Sequence, residues 1–203
     1  YWQLTAEAAA RGADVVVSTP RENLWVAPAN ARMIALERDL FRWGHRLNAI
    51  PRALETWDQE LDAIVIDTPP QINAFTEAAL NAGDVIVVPV PAMAHALQGL
   101  DEIYSAWQDV TSARGGEMVI AVNLLDRRTT ATNSAMDSTL EDLELPVKVL
   151  NQRVIRAEVL NQAGLNLELI FDFAPRTEVA ECLDKLAASL WRRAGIARKK
   201  NSG

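Results

Sequence analysis

Apolar residues follow two rhythms along this chain. Short runs rich in β-branched residues, among them Ala63–Ile66 and Val85–Val90, alternate with longer stretches in which apolar positions recur every three or four residues. The first rhythm marks strands buried on both faces and the second marks helices that cover them, so the alternation predicts βα units and a mostly parallel sheet. Strands are expected near Asp14–Ser18, Asn23–Val26, Ala63–Asp67, Val85–Pro89, Met118–Asn123 and Val147–Leu150. A helix over 31–48, capped by Asn30, would bury Met33, Leu36, Leu40, Trp43 and Leu47. Pro51 suits the first turn of a shorter helix reaching about Gln59. Further helices are expected over Ala74–Ala82, His95–Ala113, Thr130–Leu143 and Thr177–Ala194. The fold class expected is α/β: a doubly wound, mostly parallel sheet with helices on both faces. No repeat, linker or shift of composition divides the 203 residues, so a single domain over 1–203 is expected, ending in a basic tail over 192–203.

Charge changes the picture at one end. The formal net charge is −7, yet Arg192, Arg193, Arg198, Lys199 and Lys200 supply five positive charges with no acid after them, leaving −12 on the rest. The apolar runs are short and bounded by Asp, Pro or Gly, so no segment would span a bilayer. The first residues carry Glu7 and an Ala-rich helical pattern, unlike a secretory signal, and the expectation is a cytoplasmic protein. Cys182 is the sole cysteine and falls on an apolar helical stripe, where a buried structural thiol is expected. His45 and His95 have no Cys or His at metal-ligand spacing.

The densest chemical signal is Leu61-Asp62-Ala63-Ile64-Val65-Ile66-Asp67-Thr68-Pro69-Pro70. An acid at the carboxyl end of a buried parallel strand faces the crevice where open α/β sheets bind ligands. An unpaired charge there is costly, so a cation, a bound water or helix-start amides should meet it. The two prolines remove two amide donors and stiffen the loop. Spacing alone also permits an acid that caps the next turn.

This block resembles the ParA/MinD family of deviant-Walker P-loop ATPases, as do Ala78-Ala79-Leu80-Asn81-Ala82-Gly83-Asp84, the strand Val85-Ile86-Val87-Val88-Pro89-Val90, and Leu97-Gln98-Gly99-Leu100. Ile120-Ala121-Val122-Asn123, leading to Asp126-Arg127-Arg128-Thr129, and Glu22 to Ala29 are similar to further family segments, and so, more loosely, are Val149 to Gly164 and Ala174-Pro175-Arg176-Thr177. The resemblance implies that Asp67 acts through water on the magnesium of a bound nucleotide and that Thr68, Pro69 and Pro70 form the loop sensing the terminal phosphate. It implies that Asn123 hydrogen-bonds the adenine edge, which an amide can do because it donates and accepts at once; a polar residue satisfying a turn at a strand end is the other reading. Asn151 stands where the family has proline in its base-contacting loop. ATP and Mg are the implied cofactors of the intact protein, and the implied partners are a second copy, a ParB-like centromere-binding protein and non-specific DNA, with no membrane. Arg192, Arg193, Arg198, Lys199 and Lys200 would meet DNA phosphates, a role that needs charge more than exact geometry; a solvated helix end whose cations complement the helix dipole is the alternative.

One departure is large. The family cradles phosphates in a glycine-rich loop with lysine, and none of the nine glycines here belongs to such a loop; Gly115-Gly116 is followed by Glu117. The resemblance therefore implies an N-terminally truncated form lacking the first strand and the phosphate loop. Two functions are expected from it: a ParA-like partition ATPase whose present residues do not hydrolyse ATP, or a non-enzymatic ParA-like adaptor acting by protein contact.

Overall fold

The computed structural model describes residues 16–29, 37, 39, 46–55, 61–93, 97, 99–111, 116–142 and 144–196. The helix expected over 31–48 falls almost wholly outside them, as do Asp14, His45 and His95. The chain forms two compact units, one from residues 1–83 with 105–115 and the other from 84–104 with 116–203.

In the first unit, β1 (Val17–Ser18) and β2 (Trp25–Val26) form a small antiparallel ribbon, pairing Val17 with Val26 and Ser18 with Trp25. The strand expected from Asn23 starts later, because Asn23 takes a left-handed turn conformation (φ 59°) that ends any ladder there. A 3-10 turn over Arg46–Asn48 leads into α1 (Ala49–Glu55). Helix α2 (Ala74–Ala82) is capped by Asn73, whose Oδ1 accepts from the amides of Phe75 and Thr76, both at 3.0 Å. Its alanines let neighbours approach closely: Ala74 and Ala78 are fully buried. Arg46 Nε meets Glu77 Oε2 at 2.8 Å and Asn81 Nδ2 donates to Leu47 O at 2.9 Å, tying the 3-10 turn to α2.

The second unit holds a parallel three-stranded sheet in the order β3 (Val85–Pro91), β4 (Glu117–Leu125), β5 (Lys148–Ile155). Central β4 alternates between two cores. Ile120 and Val122 pack with Val90, Leu100, Met136 and Leu140, the last two from α4 (Thr130–Glu141) and Leu100 from the start of α3 (Leu100–Thr111). Val119 and Ala121 pack with Leu150 against Leu186 and Leu190 of α7 (Glu178–Arg193). Helices on both faces of a parallel sheet are the doubly wound arrangement expected. Helix α3 is shorter than the 95–113 expected, because Gly99 sits at φ 93°, where a right-handed helix cannot pass.

Two elements were not foreseen, α5 (Glu158–Leu165) and the single turn α6 (Ile170–Phe173). They pack through Ala163 and Ile170 onto Val154, Val179 and Ala180. The corner between them is held by hydrogen bonds from the amides of Leu167 to Gly164 O (3.1 Å) and Glu168 to Ala163 O (3.0 Å). Leu167 occupies the left-handed position (φ 56°) that such a helix end reserves for glycine.

The strand expected over Ala63–Asp67 is absent. Residues 63–69 pair with no strand among the described residues, and Val65 is 90% exposed. A β-branched run becomes a strand only where a neighbour takes its amides and carbonyls, and none of the described strands does so here.

Candidate nucleotide site

Asp67, Thr68, Pro69 and Pro70 form one exposed stretch of the first unit. Three residues on, Asn73 starts α2, and Thr76 Oγ1 donates to Gln71 O at 2.7 Å, so the far side of the loop is anchored. The cap on α2 is Asn73 and not Asp67, which removes one bland role for the acid.

The second unit places its candidates at the carboxyl ends of β4 and β5. Asn123 is half-buried; its Oδ1 accepts from the Leu124 amide at 2.8 Å, and its backbone carbonyl accepts from Ala92 N at 2.9 Å. Leu124 stands at φ 54°, a left-handed leucine inside a strand where the β4–β5 register slips between Val122 and Leu125. Bulges of this sort re-aim side chains and gather beside binding sites. Beside it lies a pocket of about 370 Å³ lined by Leu124, Arg156, Ala157, Glu158, Leu160 and Asn161. Its size and its mix of aliphatic wall with amide, guanidinium and carboxylate suit a heteroaromatic ring with hydrogen-bonding edges.

Asn151 lies elsewhere than the strand end. The β4–β5 pairing passes from Ile120↔Val149 to Val122↔Arg153, so two extra residues of β5 bulge out between them, and exposed Asn151 is in that bulge. The carboxyl end of β5 is Ile155, followed by Arg156. Arg156 and Asn161 were missed; a cation and an amide flanking the Ala157-Glu158 strand-to-helix junction were the available signal.

After the strand end the chain turns through Asp126. Arg128 grips its carboxylate through Nε (3.0 Å) and Nη2 (2.7 Å), and the Arg128 amide adds a third bond at 3.0 Å. These contacts, the guanidinium bond first, hold the Asp126 carboxyl down at about 2. Arg127 pairs with Glu178 at the start of α7. At the opposite end of β4, Arg193 Nη1 meets Glu117 Oε1 at 2.5 Å, while Arg192 is exposed with its Nε on Ala188 O at 3.2 Å. Arg198, Lys199 and Lys200 lie outside the described residues. The Cys182 thiol donates to Arg153 O at 3.2 Å, and burial pushes its pKa up.

A parallel sheet covered by helices on both faces, with a pocket beyond the carboxyl ends of its strands, is a doubly wound α/β arrangement. Residues 4–120 match the family described as AAA domain. The sporulation initiation inhibitor protein Soj of Bacillus subtilis is 30% identical over 176 residues, which cover 86% of this chain and 69% of Soj. The apo McdA structure from Cyanothece superimposes with a TM-score of 0.80 at 15% identity, covering 93% of this chain and 76% of that one. Cobyrinic acid a,c-diamide synthase of Mycobacterium smegmatis, solved with ADP and magnesium, gives 0.72 at 24%, covering 93% and 70%. The chain belongs to the ParA/MinD-type P-loop ATPase family.

Proposed function

We propose that this chain is the switch-and-base portion of a ParA-like partition ATPase, an ATP- and Mg-dependent protein that dimerises, binds DNA and answers to a ParB-like partner. The observation that carries the reading is the relation to Soj across 86% of the chain, within which the Asp-Thr-Pro-Pro loop and the pocket beside Asn123 both fall. In this reading Asp67 holds a water of the magnesium shell and Thr68 to Pro70 follow the terminal phosphate, while the Leu124–Asn161 pocket is of a size and polarity to take a heteroaromatic base. Asn123 then acts by fixing the Leu124 bulge, since its Oδ1 is already engaged by the Leu124 amide. Asn151 contributes no base contact. Arg192, Arg198, Lys199 and Lys200 meet DNA phosphates, and Arg193 is partly committed to Glu117.

No residue of the 203 supplies the glycine-lysine phosphate cradle, so the chain on its own does not hydrolyse ATP. That same feature favours the second reading, an adaptor that keeps the fold for protein contact. Titration calorimetry with Mg-ATP, on this chain and on one extended by whatever its gene encodes upstream, separates the two. Binding by the extended chain that is lost in its Asp67→Ala variant is expected of the ATPase; no binding by either chain establishes the adaptor.

A further inference from the structure

The corner between α5 and α6 carries an apolar surface that the fold does not use. Leu165, Leu167, Leu169 and Phe171 stand at every second position from the end of α5 into α6, and all four are exposed, by 85%, 95%, 47% and 44%. Together they present on the order of 500 Å² of apolar surface, the size at which such patches mark interaction sites. The corner packs inward through Ala163 and Ile170 instead. Leu167 is unfavourable twice over, in its exposure and in its left-handed backbone (φ 56°), where glycine would be relaxed. Neither feature serves packing. The amides of Leu167 and Glu168 nonetheless fix the corner through Gly164 O and Ala163 O, so the leucines are displayed on a held backbone.

The border of this surface is acidic. Glu168 and Asp172 alternate with the apolar residues, and a groove of about 310 Å³ opens beside Phe171, with Pro175, Asp184 and Lys185 among its walls. It is room for one large side chain. Lys185 Nζ is met by Glu181 Oε2 at 3.9 Å. Glu168, Asp172, Glu181 and Asp184 against Arg176 and Lys185 leave a net charge of −2 around the leucines.

We infer that this corner docks an amphipathic helix of a partner protein, one with aliphatic or aromatic side chains on one face and lysine or arginine beside them. A helix fits where an extended strand does not, because the amides of residues 166 to 168 already donate within the corner and offer no ladder. One large side chain of the guest enters the groove beside Phe171, the rest of its apolar face covers the leucines, and its cations meet Glu168 and Asp172. The same acids oppose nucleic acid, an anionic bilayer or this face of a second copy, each of which brings like charges together. The contact uses neither Asp67 nor the Leu124–Asn161 pocket, so it stands or falls separately from the ATPase reading.

The probe is a fluorescein-labelled peptide of about 14 residues with leucine on one helical face and lysine on the other, titrated with the whole chain and followed by anisotropy. A contact at the low end of interface sizes predicts a dissociation constant of about 10 to 100 µM. The double variant L165N/L167N should weaken binding by at least about tenfold, with no loss of thermal stability, since asparagine accepts the left-handed backbone that strains Leu167. E168K should weaken binding about threefold and reduce its salt dependence. A counterpart peptide with glutamate in place of lysine should not bind, and the chain should not sediment with vesicles of phosphatidylcholine and phosphatidylserine. The proposal is overturned by no binding of the lysine peptide at about 200 µM chain, by either variant binding like the wild type, by a double variant that melts lower, by equal binding of the glutamate peptide, or by sedimentation with the vesicles.

Discussion

Glu117 offers the sharpest test of how the carboxyl-terminal helix is held to the sheet. It opens β4, and its Oε1 receives Arg193 Nη1 at 2.5 Å from the end of α7 and Lys148 Nζ at 2.9 Å from the start of β5. The Lys148 bond first and the Arg193 bond second hold the carboxyl below its ordinary 4.5. The Glu117→Gln variant keeps the shape and removes the charge. Lys148 is 69% exposed, so its contact is screened to a few tenths of a kcal/mol; Arg193 is 24% exposed and should contribute about 1 kcal/mol. The variant should therefore lose about 1 kcal/mol at pH 7. Because the folded carboxyl titrates lower than the unfolded one, this stabilisation is complete above about 4.5 and disappears as pH falls through the lowered folded value. Urea unfolding followed by far-UV circular dichroism should show the wild type ahead at pH 7 and the two curves converging as the pH falls below 4.5 and through the lowered folded value, at equal m-values. A gap below about 0.3 kcal/mol at pH 7, or one that does not change with pH, would refute the clasp.

Other substitutions probe other links of the chain. Ile120→Ala, at a fully buried position in the central strand, should cost about 3 to 4 kcal/mol in the same unfolding assay, because both the transfer term and the cavity are uncompensated there. Carboxyl NMR should find Asp126 still ionised until pH nears 2, and Arg128→Ala should return it toward 3.8. For DNA binding, replacing Arg198, Lys199 and Lys200 with alanine should lower the slope of log K against log salt by about 3 in a fluorescence-anisotropy titration; an unchanged slope would remove these three residues from the interface.

How much of this was legible in the sequence follows from what each pattern reports. Val85–Val90 and Met118–Asn123 were readable as strands because burial on both faces forces an unbroken apolar run, and α4 and α7 were readable from their three- and four-residue spacing. Helix α5 was hidden because it is only eight residues long and fully buries a single small residue, Ala163, too short a stretch for a helical period to show. Asn151 was expected just past a strand ending at Leu150, but β5 runs on to Ile155 through a bulge that leaves no mark on periodicity, since two extra residues preserve the alternation of faces; Arg156 and Asn161 line the pocket beyond its carboxyl end. Ala63–Asp67 is the instructive case. Its run matches Val85–Val90 in character, but β3 has β4 beside it and residues 63–67 have no described partner. An apolar run states what a segment can bury, whereas a ladder needs a second segment, and local pattern carries no information about whether that segment is there. Asp67 depends on this directly. In the proposed reading it acts on magnesium from the end of a paired strand, and a ladder at 63–67 would set the direction of its carboxylate. Pairing and nucleotide binding at Asp67 should accordingly appear together or not at all.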